Sequence, residues 1–427
     1  MNEQMKRKNN LKLFPIYKMI SWDLLFYHPI VFLFLTIEKG ISVPALFFVF
    51  GFFPLFRALF QIPSVHITDT IGKRKSLLLG NTFLSIGVFA IILGNNLLTL
   101  IIAHLFMAIG SVLKEICEPI ILHDSIPETK SKPKIFAKLD SQGSSNYYVL
   151  GAIAAATTGF LFVFNYYLPI IISFVFSLMA ILISARFEEI ETINKPNKNS
   201  RRQNMRIYFR DLKQAFKFIF SSRRLKSLLL YSSIMVSLLI IFKTFQNDLL
   251  ANLHVPAEYF GIIHALSMLV SAHASKKQAW FHTKFKNKTL SLFALSCSFS
   301  LLITGLFLIG NLNIYVIYIV AAMMIILFSV VRAPYFTLIN RYYNSFSNPD
   351  IITKIYSAKS FIENLARATM FFFASWLIGF TNIAITLTVF GCILVITFIF
   401  ILDYMKTRIG LKPNEYRKKD IEFTLIK

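Results

Sequence analysis

Asp69-Thr70-Ile71-Gly72-Lys73-Arg74-Lys75 separates two apolar runs, 44–66 and 76–94. Each run is close to the roughly 20 residues that a helix needs to cross a bilayer. The connection leaves room only for a turn, and Gly72 supplies the backbone freedom that a tight turn requires. Its three cations stay out of hydrocarbon, so the adjoining ends of both runs lie on the same side. Outward from this loop the pattern recurs. Twelve apolar runs are present: 17–37, 44–66, 76–94, 98–122, 146–164 and 167–186, then 227–248, 258–275, 289–309, 314–338, 355–379 and 383–404. Hydrophobic residues make up 56% of the 427, and charged residues only 15%. A soluble domain carries roughly 25% charge. Mean hydropathy is +0.61. A water-soluble fold of this length has no use for so much apolar side chain. The expectation is therefore an all-α membrane protein, and the soluble enzyme classes drop out.

The net charge is +24, from 45 Lys+Arg against 21 Asp+Glu. In a soluble chain that balance suggests nucleic acid. Here it sorts by side. With the N-terminus placed in the cytoplasm, about 38 of the 45 cations fall in inside segments and about one, Lys39, in an outside loop. The bias puts both termini in the cytoplasm and accounts for the charge through topology and attraction to anionic membrane lipids. No nucleic-acid partner is needed. The basic start of the chain is followed by an apolar stretch without a small-residue cleavage site, so that stretch is read as a retained first span. The organisation expected is a six-helix bundle over 1–186, a basic cytoplasmic linker over 187–226, a second six-helix bundle over 227–404, and a cytoplasmic tail over 405–427. The linker carries Arg201, Arg202, Arg206, Arg210, Arg223 and Arg224, and an amphipathic helix from Ile207 to Phe220 is expected on the membrane surface.

The two halves repeat. Val43-Pro44-Ala45 returns as Val255-Pro256-Ala257, at an offset of 212. Lys73-Arg74-Lys75-Ser76-Leu77 returns as Lys286-Asn287-Lys288-Thr289-Leu290, at an offset of 213. Ile135-Phe136-Ala137-Lys138 returns as Ile351-Ile352-Thr353-Lys354, at an offset of 216 that carries on to Ser144 and Ser360. Three matches in order, each before the corresponding span, indicate six spans repeated in one orientation, as in secondary transporters.

With that layout, the loop Asp69-Thr70-Ile71-Gly72-Lys73-Arg74 resembles the D-x-x-G-[RK]-[RK] signature of the major facilitator superfamily, at the family's position between spans two and three. Val65 stands where the family's upstream glycine is usual. The resemblance implies two pseudo-symmetric bundles and alternating access to a cavity lined by the first, fourth, seventh and tenth helices. It also gives the loop, Asp69, Gly72, Lys73, Arg74 and Lys75, a gating role in which Asp69 pairs with the cations and caps the next helix. The fifth span, Gly151 to Gly159, is rich in small residues but lacks the Gly-Pro pair of drug exporters.

Charges within spans are costly and mark function. Asp23 lies in span one. Span four holds Lys114, Glu115 and Glu118, with Lys114 and Glu118 four apart on one face. A carboxylate beside a lysine at that depth can exchange a proton as its partners change. These residues, with Arg332 at the end of span ten, are the candidate proton-coupling and cavity residues. The alternative is a static pair that orients helices. Lys359, Glu363 and Arg367 recur every four residues in span eleven and read as an ion-pair network gating the second half. Arg57 reads as the partner of a neighbouring span's carboxylate, and Lys243 and Asp248 as snorkelling groups near one end of span seven. The eight histidines, His28 among them, show no ligand spacing, and the three cysteines lie in apolar runs. No metal site, disulfide framework, cofactor or phosphate-binding loop is expected.

The reading is a secondary transporter, not an enzyme. It would work as a proton-coupled antiporter for efflux of small amphipathic molecules, as a multi-pass monomer in a plasma membrane of bacterial type. A proton-coupled importer of a polar nutrient stays open beside it. A polytopic membrane enzyme is the reading from another class; it would need a catalytic set in a long loop, and the linker, with Glu188, Glu189, Glu191 and Asp211 among its cations, shows none. Sodium in place of the proton, and the direction of transport, are left open by the residues.

Overall fold

The computed structural model describes residues 3–21, 23–190, 210, 213–214, 216–285, 288–310, 313–346 and 352–406. It divides into two compact units, Met1–Tyr208 with Pro256–Ala265, and Phe209–Val255 with Leu266–Lys427. The elements of the first part are α1 (Glu3–Ser21), α2 (Val31–Leu33, running into a π turn Phe34–Glu38), α3 (Val43–Ile71), α4 (Lys73–Leu93), α5 (Leu97–Ser125), α6 (Lys132–Phe164) and α7 (Leu168–Ala185). Those that follow are α8 (Arg223–Asn252), α9 (Ala257–Lys276), α10 (Gln278–Phe285), α11 (Lys288–Ile309), α12 (Ile314–Phe346), α13 (Ile352–Phe380) and α14 (Ile383–Lys406). Among the described residues there is no strand. The surface helix expected over 207–220 is described only in part, and the tail over 407–427 and the repeat residues Lys286 and Asn287 lie outside the described residues.

Nine of these helices, α3 to α8, α11, α12 and α14, are long and apolar enough to cross a membrane. The expected runs at 258–275 and 355–379 form α9 and α13, the latter with Lys359, Glu363 and Arg367 along it. Helix starts follow local chemistry. Pro44 sits in the first turn of α3, where its missing N–H costs nothing. The Asn96 carboxamide accepts from the Thr99 N–H at 2.8 Å and caps α5. Ser222 does the same for α8 through the Leu225 N–H at 3.3 Å. Between α3 and α4 the turn is Gly72 alone, at φ +90°, a conformation that disfavours any side chain.

The first span departs from expectation. It was expected as one helix over 17–37, but α1 stops at Ser21 and the chain runs through turns to Val31. Two local causes act. The Asp23 carboxylate accepts from its neighbour's N–H, Leu24, at 2.9 Å, which competes with helical bonding. Pro29 has no N–H to give and disfavours helix at the residue before it. The break leaves the carbonyls at the end of α1 without helical donors.

In lipid, helices gain little from burying apolar faces, so close backbone approach matters more. α4 and α5 meet at Gly80 and Gly110; a Cβ on Gly110 would stand 2.5 Å from the Gly80 carbonyl oxygen and 2.8 Å from Leu84. At the opposite end of the hairpin Lys39 ties three elements together. Its ammonium donates to the Ile92 carbonyl at 2.7 Å and to Asn95 Oδ1 at 2.9 Å, over the rings of Phe34 and Tyr167. Burial lowers the Lys39 pKa from its ordinary value, with Glu38 opposing. In the second unit α8 is the most enclosed span: 78% of its most apolar stretch is buried, against 33–50% for the other eight.

The Gly80–Gly110 crossing makes a direct prediction. Gly110→Val forces the two backbones apart and should cost about 1–3 kcal/mol, the usual range for overpacking. The melting temperature of the purified protein in detergent measures it; an unchanged value means the crossing does not limit packing.

Candidate functional site

The broken span collects charge. Lys114, buried on α5, donates to the Ser21 carbonyl at the end of α1 and lies 3.8 Å from Glu118 one turn on. A cation is the complement that a helix C-terminus calls for. Glu118 also accepts from the Tyr17 hydroxyl at 3.1 Å, and Tyr17 accepts in turn from the Asn81 amide at 3.0 Å. The chain of donors thus runs from α4 through α1 to α5. Tyr17 is held for this by a buried cluster that includes Phe14, Leu77, Cys117, Ile121 and Phe187, with the Phe187 ring edge-on at 5.4 Å. Lys18, the next residue, pairs with Asp140 of α6.

Asp23 lies beside this network, half exposed, with His28 Nε2 2.5 Å from its Oδ1. It acts electrostatically on Lys114. A cavity of about 20 Å³ lies here, lined by the polar Ser21, Asp23, Asn81, Lys114 and Ser173 and by the apolar Leu24, Leu84 and Phe176. That volume suits about one water. The buried Ser173 hydroxyl, at this cavity, has no hydrogen-bond partner among the described residues. The structure therefore brings Asp23, Lys114 and Glu118 together and sends Glu115 elsewhere. Glu115 is largely exposed and pairs with Arg57 of α3, which also bonds Ser111 at 3.3 Å. Arg57 has the neighbouring-span partner expected of it.

The signature loop is built differently from expectation. Asp69 was expected to cap the next helix. The cap is Glu189, just after α7: its two carboxylate oxygens accept from the backbone N–H groups of Lys73 and Arg74, both at 3.0 Å. The cause is geometric. Gly72 turns the chain so that the first N–H groups of α4 face Phe187–Ile190, which Asn10 holds through two bonds to the Glu188 backbone, at 2.9 and 2.8 Å. Lys73 pairs with Asp124, and the Arg74 guanidinium donates to the Ala185 carbonyl at 2.6 Å. Lys75 is exposed. Asp69 makes no ion pair within 4 Å among the described residues; desolvation raises its pKa, against the pull of His66 and Lys73.

The second unit carries its own cluster. Lys359, Glu363 and Arg367 form the ladder expected on α13, with separations of 3.7 and 3.9 Å. Lys359 is also fixed from α12, by Asn340 Oδ1 at 3.3 Å and by the face of Tyr343 at 4.8 Å. At the 216-residue offset of the repeat, Lys359 corresponds to Gly143, where the side chain of Lys18 passes 2.9 Å from a would-be Cβ. Arg332, grouped with the Asp23 cluster by sequence, is half-buried on α12 in the second unit. Asp248 is a correction. It does not snorkel: it is 2% exposed, and the Asn252 amide donates to its carboxylate at 2.9 Å.

Tyr17, Asn81, His28 and Glu189 were not found from sequence. Residues five apart do not share a helix face, so the Asp23–His28 contact exists only because the helix breaks; Pro29 was the available signal. Nothing local marks Glu189, whose partners are more than a hundred residues away. Among the described residues no group of three His, Cys, Asp or Glu could hold a metal ion.

Residues 14–369 match the family model described as Major Facilitator Superfamily. A comparison with curated protein sequences found no match. Among solved structures, the chain is similar to the nucleoside transporter NupG, at 12% identity and TM-score 0.72, covering 95% of this chain and 100% of that one. It is also similar to a POT family transporter in complex with 5-aminolevulinic acid, at 14% identity and TM-score 0.69, covering 93% and 96%. A D-xylose-proton symporter aligns at 12% identity and TM-score 0.66, covering 96% and 99%. At such identities the likeness is one of fold.

Two stability outcomes follow from the loop. Glu189→Ala removes the α4 cap and should cost about 0.5–2 kcal/mol, with faster tryptic cleavage after Lys73 and Arg74; unchanged cleavage would remove the capping role. Asp69→Asn should stabilise the fold at neutral pH. A carboxyl with a raised folded pKa binds its proton more tightly when folded, so the ionised wild type is penalised above that pKa. The gap in melting temperature should close as pH falls through the carboxylate range; a gap of the opposite sign excludes this account.

Proposed function

The chain belongs to the major facilitator superfamily, and from that premise we propose that it is a secondary active transporter that works by alternating access and is coupled to protons. The observation that carries the proposal is Glu118: half-buried, and joined to both Tyr17 and Lys114, the latter lining a one-water cavity at the break in the first span. While Glu118 is ionised, it and the Ser21 carbonyl share the Lys114 ammonium. Protonating Glu118 cancels its hold. Lys114 is then left to the carbonyl and to the field of Asp23, and the end of α1 is re-tied. A proton arriving through Asp23 and His28 can in this way change how α1 is fastened to α5. That is the kind of two-state element that ion coupling needs. Asp23 and Glu118 carry the proton, Lys114 is the switched cation, and Tyr17 and Asn81 hold Glu118 in place.

The substrate proposed is a small amphipathic molecule, moved outward across a bacterial plasma membrane by a monomer with both termini in the cytoplasm. A second reading is proton-coupled uptake of a polar nutrient. It draws on the fold likeness to a D-xylose-proton symporter.

The test is accumulation of lipophilic fluorescent dyes in an efflux-deficient bacterium expressing the protein. Wild type should lower accumulation, and a protonophore should abolish the difference. Glu118→Gln and Asp23→Asn should each lose about tenfold or more in export rate, equal to about 1.4 kcal/mol, while still reaching the membrane. If no dye responds, the amphipathic export reading falls; proton-dependent uptake of nucleosides, sugars or peptides then decides for the second.

A further inference from the structure

Asp248 is a buried acidic side chain of the second unit, outside the proposed mechanism. It lies on α8 one turn before the helix ends at Asn252, remote from the basic start Arg223-Arg224. Its exposure is 2%, lower than that of Glu363, the other buried carboxylate among the described residues of the unit. Glu363 has cations on either side; Asp248 has an amide. The Asn252 Nδ2 is 2.9 Å from both the Asp248 carboxylate and its carbonyl, and among the described residues no Lys, Arg or His nitrogen comes within 4 Å.

Among the described residues, the helices packed on α8 within the unit bring no charged side chain near this end of it. Within the unit α8 packs against α12, α13 and α14. Their stretches 314–331, 368–380 and 383–402 contain no Asp, Glu, Lys or Arg. The titratable groups there are Tyr315 and Tyr318 on α12 and Cys392 on α14. Tyr318 is committed to the Leu253 carbonyl at 3.1 Å, and Cys392 is exposed. On α8 itself, Lys243 lies five residues back, about 140° around the helix, and His254 follows the helix end. An ionised carboxylate in so enclosed and uncharged a place carries a desolvation cost of several kcal/mol that one amide does not offset. Protonation removes the cost, and the amide can still donate to the carbonyl oxygen of the acid.

We propose that Asp248 is a second proton-binding site of this transporter: a neutral carboxyl in the enclosed span of the second unit, one turn from the end of α8 opposite its basic start. The balance is simple. The carboxyl O–H breaks, the proton leaves to water at that end, and the carboxylate remains until it is reprotonated. The proposal rests on the transport reading for its purpose but not on the Asp23–Glu118 site for its chemistry.

The test is infrared spectroscopy of the purified full-length protein in liposomes, titrated from acid to alkaline pH, for wild type, Asp248→Asn and Asp248→Glu. The wild type should show a protonated-carboxyl C=O band at neutral pH that disappears at alkaline pH. Asp248→Asn should lack one carboxyl's worth of that band, and Asp248→Glu should shift it. Coincident neutral-pH spectra for wild type and Asp248→Asn overturn the proposal. If Asp248→Asn does not fold, the Asp248→Glu spectrum decides: a shifted band supports the site and an unshifted one overturns it. Failure of dye export would leave the spectra standing, so the two readings fall separately.

Discussion

A lysine ammonium inside a span can be kept only where the protein supplies what water no longer does. Lys114 meets that condition through the backbone. The end of α1 at Ser21 presents a carbonyl that has lost its helical donor, and Lys114 takes the donor's place. The break in the first span and the charge in the fifth helix are thus one feature. Without the break there is no free carbonyl for the ammonium. Without the ammonium the open end of α1 would sit unsatisfied in a low-dielectric interior, where orphaned polar groups cost most. Glu118, Tyr17 and Asn81 extend the arrangement with hydrogen bonds among α5, α1 and α4.

The same economy shapes the basic end of the first unit. The start of α4 needs acceptors for its N–H groups, and the turn at Gly72 aims those groups at Glu189. Lys73 and Arg74 then spend their side chains on Asp124 and on the Ala185 carbonyl at the end of α7. The signature loop is fastened to α5 and to the exit of α7, so a movement of α7 or of the segment after it must pull on the loop. The second unit handles charge in a contrasting way. Its cations are stacked on one face of α13 around Glu363 and shielded by Tyr343, while Asp248 is left to an amide alone.

Much of the fold was legible because a bilayer allows few solutions. Runs such as 44–66, 98–122 and 383–404 match α3, α5 and α14, since any stretch that long and apolar must be helical to satisfy its backbone. The repeat was legible for the same reason: Val43-Pro44 and Val255-Pro256 both prepare helix starts. The exception was the first span. Hydropathy reports whether a segment prefers lipid, and it says nothing of whether the helix is continuous. Asp23 and Pro29 carried that message in their preferences for local bonding and for a missing donor. Asp248 was misread because its distance from the end of the helix suggested access to water, whereas neighbouring helices enclose it.

The sequence by itself determined the class of the molecule, the order of most of its helices, the turn at Gly72 and the residue types able to carry charge into the membrane. These depend on hydropathy, on glycine and proline backbone preferences, and on spacing along one helix, all of which are local. Only the tertiary structure decided who meets whom: that Glu118 faces Tyr17 and Lys114 while Glu115 turns to Arg57, that Glu189 and not Asp69 caps α4, and that Asp248 is enclosed. Those choices turn on which face of each helix meets its neighbour. A contact across a hundred residues is set by packing, and packing is a property of the assembled chain.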